Sequence, residues 1–374
     1  MKKILALALA AAMLFAVVGC TKAPAATETT NGDTTATEAP VDTDATEAPA
    51  ELTKLVVSLH PAYITLPVAY AIYNDMAKDF GLELEVQVYA SGAPQNEALG
   101  AGLWDVGVIG AAFAFGVNTY DAYVIGDFID GRAGNAIFVR NDSDIANATG
   151  ANPTYPDILG SAETVKGKTM ITNVGTTGHL QAVKWLEALG LTEADVNIIQ
   201  MDYAQGYQAF ISGEGDILAT IGPYSTKALI AQADQWSIAG GFLQLDIPQY
   251  ETVICSADAM ANKKDALVNF LRMIYAANDI LANDFEAQVS TYMAWMSENG
   301  KEIDEAEARI ECTQKPVLTS AQALELAKSA DFGQYERLVW ETNIESGTME
   351  AASIAKADTN IIPDLMIAAL ESGK

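Results

Sequence analysis

Residues 98–110 read ALGAGLWDVGVIG, and residues 205–223 read QGYQAFISGEGDILATIGP. Both segments contain a helix-forming stretch that ends at a glycine, then an aspartate, then an apolar run that ends in small residues. This order is typical of a helix C-terminus followed by a buried strand whose carboxyl end opens at a cleft. We interpret Asp105 and Asp216 as structural turn residues, and the repeated pattern predicts two similar α/β units.

Strands and helices alternate on both sides of these segments, which predicts an α/β fold with parallel strands and crossover helices. The predicted strands are 55–59, 82–89, 106–110, 123–129, 135–140, 168–172, 196–201, 217–221 and 252–256, and the predicted helices between them are 66–80, 94–103, 178–189, 205–212 and 223–233. Residues 258–370 are mostly helical by periodicity. With a polar passage at 141–156 between lobes, we expect residues 52–145 and 255–374 to form lobe 1 and residues 146–254 to form lobe 2.

The composition argues against several classes of protein. The chain has 374 residues and a formal net charge of −28, so its surface repels phosphate backbones and a nucleic-acid partner is not expected. Three cysteines are too few for a disulfide scaffold. The two histidines leave little scope for histidine-based catalysis or a histidine-rich metal site, and we expect no metal and no cofactor.

The first twenty residues read MKKILALALAAAMLFAVVGC. Two lysines precede an apolar run, 4–18, that is shorter than the about 20 residues of a transmembrane helix, and this pattern is typical of a secretory leader. The ending VVGC resembles the bacterial lipobox, whose cysteine is diacylated, so Cys20 is the expected lipidation site. An ordinary leader with an unrelated cysteine is the alternative.

Residues 21–51 are rich in Thr, Ala, Pro, Asp and Glu and contain the sequence ATEAP twice. Such a segment buries too little apolar surface to offset its ordering entropy, so we expect a disordered tether. Two acyl chains on one cysteine suffice for stable anchoring. The sequence therefore predicts an extracytoplasmic protein that is lipid-anchored to the outer face of the cell membrane.

Candidate ligand-binding residues follow from the rule that open α/β sheets bind ligands beyond the carboxyl ends of their strands. Small residues there let backbone N–H groups approach a ligand, and helix starts add a positive dipole end that suits an anion. Aromatic residues in the same loops provide apolar walls, although each is equally compatible with packing. The predicted set is His60, Tyr63, Ser91, Gly92, Gln95, Gly110, Ala111, Phe113, Thr176, Thr177, His179, Asp202, Tyr203 and Tyr224.

Two charged residues near these loops bear on the ligand's charge. Asp202, if it faces the cleft, favours a ligand with an amine or a ring N–H over a bare anion. Arg132, in the turn after the 123–129 strand, is a nearby cation, for which a solvated turn position is the alternative.

Two segments carry a resemblance to a known family: AGLWDVGVIGAA at 101–112 and VKGKTMITNVGTTGH at 165–179. Over about residues 55–259 the chain resembles the solute-binding proteins of ABC importers, in the nitrate, sulfonate and taurine group that also contains thiamine-precursor binders. The resemblance implies a two-lobed periplasmic-binding-protein (type II, Venus-flytrap) fold. It also implies that His179 contacts a bound anion, as a histidine at this helix start does in nitrate-type members.

The function implied by the resemblance is capture of a small organic solute, a sulfonate-, taurine- or nitrate-like anion. The implied partners are an ABC permease and its cytoplasmic ATPase, and we expect a monomer. Alternatives are a binder of a nitrogen heterocycle such as a thiamine precursor or flavin, a sensor that feeds a membrane kinase, and an enzyme of the desulfinase or pyrimidine-synthesis type. Cys255 and Cys312 lie in apolar or helical stretches and are expected to be inert, so an enzyme is not the preferred reading.

Overall fold

A computed structural model describes residues 52–231 and 234–372 of the chain. The predicted leader, the predicted lipidation site Cys20 and the predicted tether up to residue 51 lie outside the described residues. None of the helices within the described ranges combines the length and the apolarity needed to cross a membrane.

The strands of the described residues belong to two sheets. They are β1 Thr53–Leu59, β2 Leu82–Val88, β3 Val106–Ile109, β4 Tyr123–Asp130, β5 Asn135–Arg140, β6 Thr169–Thr172, β7 Asn197–Gln200, β8 Ile217–Ile221, β9 Trp236–Gly240 and β10 Tyr250–Cys255. The first sheet has the order β2-β1-β3-β10-β4, and the second has the order β7-β6-β8-β5-β9. Each sheet contains one strand antiparallel to both its neighbours, β10 in the first and β5 in the second.

Helices cover both sheets. The α-helices are α1 Leu66–Tyr73, α2 Gly92–Gly100, α3 Phe113–Tyr120, α4 Asp144–Asn147, α5 Ala162–Val165, α6 Thr177–Ala188, α7 Tyr203–Ile211, α8 Tyr224–Ala231, α9 Ala257–Asn262, α10 Lys264–Leu281, α11 Phe285–Glu298, α12 Glu305–Gln314, α13 Ser320–Lys328, α14 Gln334–Glu345, α15 Ile354–Asn360 and α16 Asp364–Glu371. Short 3₁₀ helices cover Tyr63–Thr65, Met76–Phe80, Arg132–Gly134, Glu193–Asp195 and Ala351–Ser353.

The two antiparallel strands show where the chain passes between the sheets. It leaves the first sheet after β4, enters the second at β5, and returns from β9 to β10. We call the first sheet with α1–α3 and α9–α16 the first lobe, and the second sheet with α4–α8 the second lobe. The crossovers are therefore residues 131–134 and 241–249.

These crossovers differ from the predicted lobe boundaries at 145 and 254. β5 pairs with β8 and β9, so residues 135–140 belong to the second sheet and not to lobe 1 as expected. The polar stretch 141–156 lies within the second lobe and includes α4. A polar stretch indicates a surface segment, but it does not show which sheet the preceding apolar strand joins. β9 was not predicted, and β10 begins at Tyr250 and not at 252.

Each lobe has its own core. In the first lobe the 18-residue helix α10 packs against α1 and α16, and its buried residues Phe270, Leu271 and Ile274 share a cluster with Val253 of β10. In the second lobe Trp185 of α6 packs in a cluster with strand residues that include Ile137, Met170 and Ile217. The α/β class predicted from the sequence is confirmed.

The two aspartates of the repeated sequence pattern have equivalent roles. Asp105 Oδ2 accepts a hydrogen bond from the backbone N–H of Val56 at 2.8 Å, and Asp216 Oδ2 accepts one from Thr169 at 2.8 Å. In each lobe the carboxylate ties the turn before a strand to the neighbouring parallel strand. Their interpretation as structural turn residues is confirmed.

Candidate ligand-binding cleft

A cavity of about 280 Å³ lies between the two lobes and is lined by residues of both. The first lobe contributes loops after β1, β2 and β3, and the second contributes loops after β6, β7 and β8. This position follows the strand-end rule. Of the predicted residues, those that line the cavity are His60, Ser91, Gly92, Gly110, Ala111, Thr176, Thr177, Asp202, Tyr203 and Tyr224.

Five helices begin at the cavity wall. The lining residues at these starts are Gly92 of α2, Ala112 before α3, Thr177 of α6, Tyr203 of α7 and Tyr224 of α8. The N-cap residues of α2, α3, α6 and α7 make no side-chain capping hydrogen bond. The first three backbone N–H groups of α3 already donate to the oxygens of Gly110, Ala111 and Ala112. The other helix starts present backbone N–H donors, and all five present the positive end of a helix dipole, so the cavity favours an anionic group.

Hydrogen bonds fix the wall formed by the second lobe. The Thr176 hydroxyl donates to the backbone oxygen of Asn173 at 2.6 Å and also contacts the Tyr203 hydroxyl, which accepts from Gly178 N at 3.1 Å. Burial raises the pKa of Tyr203 to about 12, so this phenol stays protonated. The loop before α6 and the start of α7 are thereby held together.

The lobes touch directly beside the cavity. The backbone N–H of Ala111 donates to Thr177 Oγ1 at 3.1 Å, which joins the loop after β3 to the start of α6. A Cβ on Gly110 would lie 2.6 Å from the same Oγ1, so glycine is required for this approach. The small residues at this position therefore serve the contact between the lobes.

His60 is a buried, neutral group in the wall of the first lobe. Gln95 Nε2 donates to the backbone oxygen of Val108 at 3.1 Å, which leaves Gln95 Oε1 to accept from His60 Nε2 at 2.6 Å. Burial lowers the pKa of His60, so the imidazole is uncharged at neutral pH. Gln95 itself is fully buried behind His60 and positions the ring without lining the cavity.

Three further predicted residues lie outside the cavity lining. The Tyr63 hydroxyl donates to Gln288 Oε1 at 3.2 Å inside the first lobe, and Phe113 is buried against Tyr335. His179 Nδ1 accepts from Gly175 N at 3.3 Å, and its Nε2 lies 2.7 Å from Glu193 Oε1. Two residues correspond to about 200° of rotation around a helix, so Thr177 faces the cavity and His179 does not.

Arg132, Cys255 and Cys312 also lie outside the cavity lining. Arg132 forms an ion pair with Asp130 at 3.0 Å. Cys255 and Cys312 are buried, and burial raises the pKa of both thiols, that of Cys312 to about 12. Both cysteines therefore behave as buried small side chains.

Several lining residues were not predicted, and the charged ones among them are Glu251, Lys301 and Lys315. Glu251 lies at the start of β10, and because β10 is antiparallel to β3, this start lies beside the carboxyl end of β3. The strand-end rule covers Glu251 only if it also includes the first residues of antiparallel strands, which lie at the same edge of the sheet. The two lysines come from segments flanking α12, for which the sequence carries no signal.

The buried charges form a connected group. Lys315 is 3% exposed, and its Nζ lies 3.3 Å from Oε2 of the fully buried Glu311. Burial raises the pKa of Glu251, and the nearby charge of Lys315 opposes that rise. This group brings both signs of charge to one side of the cavity.

The fold and the interlobe cavity define a two-lobed solute-binding protein. Known structures with this fold include the periplasmic aliphatic sulphonate binding protein of Escherichia coli, with a TM-score of 0.65 and 15% identity over 83% of this chain and 98% of that chain. The periplasmic nitrate-binding protein of Synechocystis PCC 6803 gives a TM-score of 0.66 and 16% identity over 87% of this chain and 90% of that chain.

Sequence comparison identifies the family. Residues 48–294 match the NMT1-like family. A protein of Brachyspira hyodysenteriae (strain ATCC 49526 / WA1), named "Putative ABC transporter periplasmic binding protein", is 31% identical over 320 residues, which are 86% of this chain and 90% of the relative. The chain belongs to the NMT1-like family. The solute-binding class and the two-lobed fold predicted from the sequence are confirmed.

Proposed function

We propose that the protein is the extracytoplasmic substrate-binding protein of an ABC importer. It holds one small organic solute between its lobes and delivers it to a membrane permease coupled to a cytoplasmic ATPase. The observation that carries this proposal is a cavity of about 280 Å³ bounded by both lobes, with five helix starts in its wall. The family and the Brachyspira relative support the same role.

The solute is an organic anion, in which a sulfonate or carboxylate group is attached to a small apolar body. The helix starts supply donors for the anionic group. Apolar side chains, namely Pro61, Ile64, Ile109, Ile221 and Pro223, and the rings of Tyr203 and Tyr224 supply contacts for a body. A cavity near the lower end of the usual size range for ligand sites favours a compact organic molecule over a bare nitrate ion.

A nitrogen heterocycle is the second candidate, and two lining residues favour it. Asp202 and Glu251 are carboxylates that can accept hydrogen bonds from a ring N–H or an exocyclic amine. Tyr203 and Tyr224 offer aromatic faces to a planar ring.

Binding, and not catalysis, is the proposed activity. No thiol is among the described residues that line the cavity, and His60 is tied to Gln95. A desulfinase or a pyrimidine-synthesis enzyme on this scaffold needs a reactive group in the cleft, and the buried Cys255 and Cys312 do not supply one.

A lipid on Cys20 is the proposed membrane anchor. Changing Cys20→Ser removes the acylated thiol, so the variant should appear in the soluble fraction or keep its leader, whereas wild type sediments with membranes. Cys312→Ala, a change in the buried part of α12, is the matched control and should stay with the membranes. Unchanged membrane retention of processed Cys20→Ser protein would contradict the anchor.

A thermal-shift screen tests the solute class. The panel contains sulfonates, taurine, small carboxylates, nitrate, thiamine precursors and flavins. A solute present at 100 times its Kd stabilises the folded protein by about 2.7 kcal/mol, which raises the melting temperature by roughly 3–5 °C in a protein of this size. We expect this shift from organic anions. A panel without any shift would count against the proposed function.

A further inference from the structure

Glu251 is a buried acidic residue in the cavity wall. The residue is 8% exposed and lies at the start of β10, next to the end of β3. A Cβ built on Gly110 would lie 3.3 Å from Glu251 Oε2. The same Cβ would lie 2.6 Å from Thr177 Oγ1 at the start of α6. The carboxylate is therefore beside the α6 start, at the junction of the two lobes.

Glu251 forms no ion pair with any residue in the described part of the chain. The ammonium group of Lys315 instead pairs with Glu311 Oε2 at 3.3 Å. Glu311 is fully buried, and its carboxylate also accepts a hydrogen bond from the Thr226 hydroxyl. Lys315 is thus the nearby buried cation for both Glu311 and Glu251, but it forms its ion pair with Glu311. Glu251 has no direct cationic partner among the described residues.

A buried charge is stabilised only when a partner of opposite sign compensates for its lost hydration. Burial raises the pKa of Glu251, and the charge of Lys315 and a hydrogen bond with the Gln249 side chain offset only part of that rise. The remaining compensation can come from a solute in the cavity, because Glu251 is one of the residues that line it. The starts of α2, α7 and α8 remain for an anionic group on the same solute, whereas the first three N–H groups of α3 already donate to backbone oxygens of the preceding loop.

We propose that Glu251 binds a positively charged nitrogen of the solute, so that the transported molecule is a zwitterion. Its sulfonate or carboxylate group lies at the helix starts, and its ammonium or protonated ring nitrogen lies against Glu251. This inference rests on the proposed function and narrows its substrate class. It also combines the two candidate solutes, the organic anion and the nitrogen heterocycle, because one molecule then binds to the helix starts through its anionic group and to Glu251 through its nitrogen.

Matched pairs of probes test this inference by calorimetric titration. Each pair shares an anionic group and a body, and only one member carries an amine: taurine with isethionate, β-alanine with propionate, and 4-(aminomethyl)benzoate with 4-methylbenzoate. In wild type, the amine-bearing member of at least one pair should bind at least tenfold more tightly than its partner. This comparison needs no variant and therefore does not depend on a mutant's folding.

Variants assign the preference to Glu251. Glu251→Gln keeps the size of the side chain and removes its charge, so the preference for the amine should fall to twofold or less. Glu251→Asp keeps the charge and should retain part of the preference. Glu336→Gln, at a fully buried glutamate outside the cavity lining, is the matched control and should bind as wild type does.

The outcomes separate this inference from the proposed function. Equal binding within every pair, or an amine preference that survives Glu251→Gln, overturns the role of Glu251 while solute binding stands. A wild-type protein that binds a nitrogen-free solute from the wider screen but none of the amine-bearing probes overturns it as well. Failure to bind any compound of the wider screen contradicts the proposed function itself.

Discussion

Two acidic residues of the first lobe are buried against each other. Asp127 of β4 and Glu336 of α14 are both fully buried, and their carboxyl oxygens have no other hydrogen-bond partner among the described residues. Burial raises the pKa of both groups, and the charge of Glu336 raises that of Asp127 further. The pKa of Glu336 rises to about 7. A proton held between the two groups satisfies the pair and avoids two adjacent buried charges.

This pair predicts that stability falls as pH rises. The pKa of Glu336 is about 7 in the folded protein and 4.5 in the unfolded chain. Its protonated form therefore stabilises the folded protein fully below pH 4.5, and this stabilisation is lost as the pH rises from 4.5 to about 7. The free energy of unfolding should fall by roughly 1 kcal/mol per pH unit within this window. Urea denaturation at pH 5, 6, 7 and 8 measures it.

Asp127→Asn should make this fall less steep, because an amide can donate a hydrogen bond to an ionised Glu336. Asp130→Asn, on the same strand but paired with Arg132, is the control and should leave the slope unchanged. A wild-type stability that is constant or rises from pH 5 to 8 would show that the pair does not share a proton.

For single residues, the sequence predicts which loops reach the cavity better than it predicts which side chains point into it. The strand-end rule places Thr177 and Tyr203 at the cavity, but a shift of two positions around α6 sends His179 to Glu193 instead. Glu251 escaped prediction because an apolar run near residue 252 does not reveal that its strand is antiparallel. Helix phase and strand direction are both set by packing between distant segments, which one sequence does not display.

At the element scale, helix α12 of the first lobe holds helix α8 of the second. Lys227 Nζ lies 2.8 Å from Glu307 Oε2 and donates to the backbone oxygen of Glu302 at 3.0 Å. One helix turn further along α12, Glu311 accepts from Thr226. These contacts cross between the lobes close to the cavity, so they stabilise the arrangement in which both walls face one solute.

Breaking the pair between Lys227 and Glu307 should therefore weaken solute binding. For Glu307→Gln we expect an affinity loss of two- to fivefold, from a partly buried pair worth about 0.5–1 kcal/mol. Glu305→Gln is the control, because Glu305 pairs with Arg309 within α12 itself. Calorimetry with one solute compares the variants. An equal affinity in Glu307→Gln and Glu305→Gln would mean that the contact does not contribute to the closed arrangement.

Elements were easier to predict than their pairings. β1, β2 and β6 correspond to apolar or alternating segments of the sequence, whereas β9 contains half-buried and buried residues without clear alternation. The apolar pattern of residues 135–140 predicts a strand, but it does not show which sheet the strand joins, since these apolar residues fit either core. Sheet membership depends on long-range pairing and not on local pattern.

At the scale of the whole molecule, two crossover segments connect the lobes. They meet at a buried node, where Asn135 Nδ2 donates to the backbone oxygen of Gly131 at 2.9 Å and to Gln249 Oε1 at 3.0 Å. Gln249 is fully buried. Short connections of this kind permit hinge movement of two rigid lobes about a bound solute. We therefore expect any hinge movement to occur at 131–134 and 241–249.

We propose that one solute binds between the lobes, and calorimetry with a variant whose cavity is blocked measures whether it does. Ala204→Trp places a large ring in the cavity from the first turn of α7, whereas Gln208→Trp places the same ring on the exposed face of that helix. The solute that gives the largest thermal shift is titrated into each protein. We predict one solute per chain with equal affinity for wild type and Gln208→Trp, and no measurable binding to folded Ala204→Trp. Binding to Ala204→Trp with wild-type affinity would contradict the claim that the cleft is the binding site.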